Sequence, residues 1–265
     1  MKLKAKKIFT VFIAIIMLFS CTSYSFAATT ETIGYETNAS GETYGKLSQA
    51  NVLGYQPDLI FAAGENGIVG YVRAAELDAD EVKTPEEAIE LQSYRIATNY
   101  KGKYIPLYKS DGKTVIGKFL ISFDLNDIAD TGSSQNNTII KASTDYAYGT
   151  EYGVSCSGYQ FYIKSGIKKA SGGVRGISCI RATTAVPEGY MGAKARIIRY
   201  NDQALVRETN WYYNENSTNK FSIDAYYLTV TGNQFFSQGY TREFNTSIND
   251  YWTHQTNNSP NVTSG

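Results

Sequence analysis

The chain has 265 residues, and its 25 basic and 25 acidic side chains balance. Four lysines lie in the first seven residues, so removing residues 1–27 would leave 21 basic against 25 acidic, a net charge of −4. That balance offers no basic stripe to track a phosphate backbone, so no nucleic-acid partner is expected. One histidine in the whole chain, His254, also argues against a zinc cluster, and no metal or cofactor is expected.

The first 27 residues read as a signal peptide. Lys2, Lys4, Lys6 and Lys7 precede an uncharged apolar run of 13 residues, Ile8 to Ser20, and Ser25-Phe26-Ala27 supplies the small residues of a cleavage site. The run is shorter than the roughly 20 residues of a membrane-spanning helix, so no stable transmembrane anchor is expected. The expected destination is secretion, with lipidation at Cys21 after Leu18-Phe19-Ser20 as the alternative. Residues 28–43 are polar and without hydrophobic period, which predicts a flexible leader.

Residues 44–123 predict a small α+β module. Leu59 to Ala63 and Ile68 to Val72 flank Gly64-Glu65-Asn66-Gly67, a hairpin signal because Asn-Gly tolerates positive φ. Thr84-Pro85-Glu86-Glu87 has the residues of a capping box with proline at the first helical position, and Ala88, Leu91, Gln92 and Arg95 continue at helical spacing, predicting a helix over 85–97. A second hairpin joins 104–108 to 114–121 through Ser110-Asp111-Gly112, and Pro106 places its strand at an edge or pairs it on one side.

Residues 124–137 read as a linker. Their carboxylates do not make an EF-hand, because Ala129 and Gln135 stand where that loop needs glycine and glutamate. Residues 138–250 then carry a strand pattern without helical stretches: 154–163, 174–183, 189–200, 203–213, 221–230 and 235–244, with a further run at 138–142. This predicts an antiparallel β-sandwich or open barrel, so the fold class is mainly β with a small α+β N-terminal module. A two-residue turn at Asn201-Asp202 would set Arg196 opposite Arg207, a like-charge clash that favours a longer loop, with an anion between the two arginines as the alternative. Residues 251–265 form a polar tail expected to fray.

Cys156 and Cys179, an even pair in an exported chain, are candidates for a disulfide, with two buried free thiols as the alternative. His254 lies in the tail, away from any rigid element, which argues against a histidine-based hydrolase. Asp145, Glu151, Glu188, Glu208, Asp224 and Glu243 are the carboxylates from which a glycosidase pair would come, although Asp224 is expected to face solvent. Trp211, Tyr212, Tyr213, Tyr226, Tyr227 and Tyr240 form the candidate binding face, since consecutive rings on a strand point to opposite sides and one side faces outward.

Gly67-Ile68-Val69-Gly70-Tyr71-Val72 followed by Leu77 resembles the closing strands of bacterial SH3-type domains. More widely, Pro57-Asp58-Leu59-Ile60, Gly70-Tyr71-Val72, Thr84-Pro85-Glu86-Glu87-Ala88 and Ile105-Pro106-Leu107-Tyr108 with Asp111-Gly112-Lys113-Thr114-Val115-Ile116-Gly117 resemble a recurring module of uncharacterised exported proteins of Gram-positive bacteria. The resemblance spans residues 41–121 and implies export and a shared small fold, without catalytic residues to carry over. The leading functional expectation is a secreted, non-enzymatic protein that binds an envelope polymer, glycan or extracellular protein through its aromatic β-face. A carboxylate-dependent carbohydrate-active enzyme and a bacteriocin-like or toxin protein are the alternatives.

Overall fold

The computed structural model describes residues 34–79, 82–123 and 146–265, and Gly34–Gly265 form one compact unit. Residues 1–27, read as a signal peptide, residues 124–137, read as a linker, the run 138–142 and Asp145 lie outside the described residues. The protein is mainly β, as the alternation predicts.

Strands β1 (Glu36–Thr37) and β2 (Thr43–Gly45) form a small antiparallel hairpin inside the segment expected to be a flexible leader. Asn38 explains the order: its side-chain oxygen accepts the N–H groups of Ser40 and Glu42 at 2.9 and 3.0 Å, and Gly41 takes the positive φ of the turn. A helix, α1 (Leu47–Leu53), follows and buries Leu47 and Ala50.

The predicted hairpins then appear. β3 (Leu59–Ala63) pairs with β4 (Val69–Arg73) around Asn66 and Gly67, both at positive φ, and β5 (Gly102–Tyr108) pairs with β6 (Val115–Ser122) around Gly112. Pro106 is accommodated because β5 meets β4 only at its last residue, Tyr108 opposite Tyr71. After the short helix α2 (Ala74–Leu77) comes α3 (Pro85–Ala97), which has the predicted bounds and box: Thr84 Oγ1 accepts the Glu87 N–H, and the Glu87 carboxylate accepts the Thr84 and Lys83 N–H groups.

β8 (Tyr152–Cys156) and β9 (Tyr159–Ala170) replace the single strand expected over 154–163, because Ser157 and Gly158 both take positive φ and reverse the chain. With β7 (Ala147–Tyr148), β10 (Gly173–Val186) and β15 (Thr218–Leu228), they form one sheet. Three further predicted strands are each bent into two: β11 (Met191–Lys194) with β12 (Arg196–Arg199), β13 (Leu205–Thr209) with β14 (Tyr212–Tyr213), and β16 (Gln234–Ser237) with β17 (Tyr240–Asn245). The tail is not frayed: β18 (Asp250–Gln255) pairs with β17 along its full length and β19 (Val262–Thr263) with β16, while Thr256, Ser259 and Ser264 are buried.

The segments 44–123 and 146–265 share a ten-stranded sheet. β13 lies parallel to β6, with Glu208 opposite Ile121, and to β3, with Leu205 opposite Ala62, so β3, β4, β5, β6 and β13 close a ring around Ile60, Ala62, Val72, Ile105, Leu107, Phe119, Ile121 and Leu205. A second core lies under β9, β10 and β15, where Ile163, Ile167, Val174, Ile180, Phe221 and Ile223 meet Ala195, Ile197 and Phe235. A third packs Trp211, Tyr213, Tyr240, Phe244 and Tyr251 against Val82 and Ala88. Here α3 is docked by Gln92, whose amide accepts from Tyr213 N at 2.8 Å and donates to Tyr213 O at 3.0 Å, satisfying backbone groups of β14 as a neighbouring strand would.

Candidate functional site

An open cleft of about 570 Å³ lies where the ring of strands meets the turn after β15. Its size is within the range of roughly 300–1,000 Å³ typical of small-ligand sites. One wall is the backbone of the turn Gly64 to Gly67, held by the Gly64 N–H to Ile68 carbonyl bond at 2.9 Å. Phe119 and Val206 contribute apolar lining from β6 and β13. Tyr227, Leu228 and Val230 form the opposite wall, with Leu228 and Val230 among the most exposed apolar side chains of the protein.

Polar groups converge between these walls. Arg207 places its guanidinium carbon 5.9 Å from the Tyr227 ring centroid, and Asn66 and Asn233 bring two side-chain amides. Arg199 is held by a two-point pair with Asp202 at 2.6 and 2.9 Å, which raises the guanidinium pKa. Burial pushes the Asp202 carboxyl up, but Arg199 and the Ala204 N–H together hold it below its ordinary value. Glu65 accepts from Tyr104 Oη at 2.5 Å and pairs with Lys118 at 3.0 Å, and both keep its pKa low. Among the described residues Glu65 is the single carboxylate in the lining, which holds no described His, Cys or Ser.

Of the six residues expected to form an aromatic binding face, only Tyr227 lines the cleft. Trp211, Tyr212, Tyr213 and Tyr240 are buried, because the β11–β18 region is covered on one side by α3 and the Val82 segment and on the other by the main core. Tyr226 points to the far face of its sheet, where its hydroxyl donates to Ser171 O at 2.7 Å and Arg175 stacks on its ring. The sequence signal for Asn66 was present in the Asn-Gly turn, whereas Arg199, Arg207 and Asn233 come from three separate strands and turns and carry no local mark.

Cys156 and Cys179 are not joined to each other. β8 and β10 flank β9, with Cys156 opposite Tyr159 and Cys179 opposite Lys164, so five residues of β9 separate them. At about 3.4 Å per residue this offset is roughly 17 Å, beyond the reach of a disulfide. Cys156 donates to Phe244 O at 3.5 Å, and burial raises its thiol pKa.

The candidate carboxylates are largely spent on cations. Asp224, expected at the surface, is buried: it accepts from Tyr146 Oη at 2.6 Å and pairs with Arg175 at 2.8 Å, with burial raising its pKa against those two partners. Glu151 pairs with Arg181 and Lys164, and Glu188 is exposed. Glu208 is fully buried between Arg196 and Lys194, the latter at 2.9 Å. Val206 is bulged between the Ile198–Leu205 and Ile197–Arg207 pairs, and this shift of register puts Arg196 opposite Glu208 and Arg207 opposite Ile197. His254 is fixed on β18 with Nε2 3.2 Å from the buried Glu243 carboxylate.

No protein-family model matches the chain, and no curated protein or solved structure is significantly similar to it. Among the described residues no helix is long and apolar enough to cross a membrane.

Proposed function

We propose that the chain is a secreted, non-enzymatic binding protein that takes an envelope or extracellular glycan, or a protein segment, into the cleft between the Gly64–Gly67 turn and the Leu228–Asn233 turn. The observation that carries this reading is the cleft itself, an open concavity joining an aromatic ring, two amides and two guanidinium groups to an exposed apolar rim. Such a mixture of ring, apolar rim and directional polar groups suits a ligand with both hydroxyl or amide groups and apolar faces. A single carboxylate in the lining does not supply the pair that glycoside hydrolysis requires.

The test is retention of the mature protein on purified peptidoglycan, wall polymers and glycans, with the wild type beside Leu228→Ser and Asn233→Ala. Both substituted side chains lie outside the three cores, so the melting temperature is expected to hold while retention falls. Retention unchanged by both variants, or absent for the wild type on every material, would reject the cleft as the binding site.

A further inference from the structure

We propose that Arg242 and Trp211 form a second site, which binds one small oxyanion group, a carboxylate or a phosphate, at the Thr253 side of the β17–β18 pair. Three cations, Lys194, Arg196 and Arg242, are at least nine-tenths buried around the Trp211 ring and the rings beside it, and among the described residues two carboxylates pair with them. Both carboxylates are taken by the first two cations. Lys194 holds Asp78 at 2.7 Å and one oxygen of Glu208 at 2.9 Å, while Arg196 holds the other oxygen of Glu208.

Arg242 is left with neutral partners. Its Nε donates to Thr253 Oγ1 at 3.0 Å, its Nη1 donates to Tyr213 Oη at 3.3 Å, and its guanidinium lies 4.1 Å from the Trp211 ring centroid. Among the described residues no carboxylate comes within ion-pair distance: Asp78 senses it only at longer range, and Glu87 caps the start of α3. Hydroxyls and a ring face stabilise a guanidinium without cancelling its charge, so among the described residues these three cations outnumber the carboxylates paired with them by one.

The indole supplies an independent observation. Trp211 Nε1 is buried and has no acceptor among the described residues, the kind of donor that folding otherwise leaves satisfied. An oxyanion beside Arg242 would accept from the guanidinium, whose planar fork fits carboxylate and phosphate alike, and with a small shift of the ring it would accept the indole N–H. Thr253, which accepts from the guanidinium, is exposed, and an oxyanion would enter from that side.

Trp211 and Trp252 are the two tryptophans of the chain, and Trp252→Phe therefore leaves Trp211 as the sole indole reporter. The experiment follows the Trp211 indole N–H resonance of the 15N-labelled Trp252→Phe protein during titration with acetate and, separately, phosphate, against chloride at matched ionic strength. A saturable downfield displacement with either oxyanion and none with chloride is expected; the oxyanion that saturates identifies the group. Arg242→Gln in the same background should abolish the displacement, and Arg242→Lys should weaken binding at least tenfold. If Arg242→Gln does not fold, Thr253→Val, at an exposed position, should still weaken binding several-fold. A resonance that stays fixed or drifts without saturation across the millimolar range, or one that saturates equally in every variant, overturns the proposal.

Discussion

Replacing Glu208 by glutamine tests the ionic centre that joins the ring of strands to the rest of the protein. The substitution keeps the shape of the side chain and removes its charge, leaving Arg196 and Lys194 buried without their shared carboxylate. Arg196 would retain Tyr240 Oη at 2.9 Å, and Lys194 would retain the Leu77 carbonyl at 3.1 Å and Asp78. Removing one member of a buried ion pair costs about 3–5 kcal/mol, and because Lys194 keeps Asp78 the lower half of that range is expected here. For a folded unit of this size, a shift of about 2–4 °C per kcal/mol puts the fall in melting temperature at roughly 6–16 °C. Thermal and urea unfolding of both proteins, followed by circular dichroism, measure it. A companion variant, Lys194→Met/Arg196→Met/Glu208→Leu, should recover most of the loss, since buried ionic groups replaced together by apolar ones are often neutral or stabilising. A loss below about 1 kcal/mol for Glu208→Gln, the level of an ordinary surface pair, would refute the reasoning.

Tyr227→Ser should lower stability by about 2 kcal/mol, less than a fully buried ring because Tyr227 is half-buried against Phe235, and should also weaken retention on the cleft ligand; Tyr226→Ser should leave retention unchanged. His254 is expected to titrate above its ordinary value of 6.5, because its bond to Glu243 outweighs burial. Its stabilising contribution is therefore complete below about pH 6.5 and is lost as pH rises through the raised folded value, so melting temperature should fall over that window in the wild type and less in His254→Gln. The mature protein prepared without reductant should release two titratable thiols in denaturant, Cys156 and Cys179; a mass lower by the two hydrogens of a disulfide would contradict their separation. Gly239→Ala should destabilise by about 1–3 kcal/mol, since a Cβ there would overlap the Ser178 hydroxyl and the Lys194 carbonyl where β16 bends into β17.

The sequence by itself determined the elements whose cause is local. The capping box at Thr84 to Glu87 and the Asn-Gly and Asp-Gly turns act over a few residues, and each places its element as read. Tyr226 and Tyr227 divide between two faces for the same reason, the fixed pleat of a strand. Tertiary structure decided everything that depends on what lies beside a strand. Residues 43–45 and the tail are ordered because β3, β16 and β17 present edges to β2, β19 and β18, whose polar sequences find backbone partners there that composition does not reveal. The register of Arg196 against Glu208 turned on one bulged residue, Val206, which moved two like charges apart and brought opposite charges together. Whether a tyrosine faces solvent or core was likewise set by long-range packing: α3, fastened by Gln92 to β14 across more than a hundred residues of sequence, covers the rings that alternation alone would leave outside. Hydrophobic period states which residues share a side; only the neighbouring layer determines which side is buried.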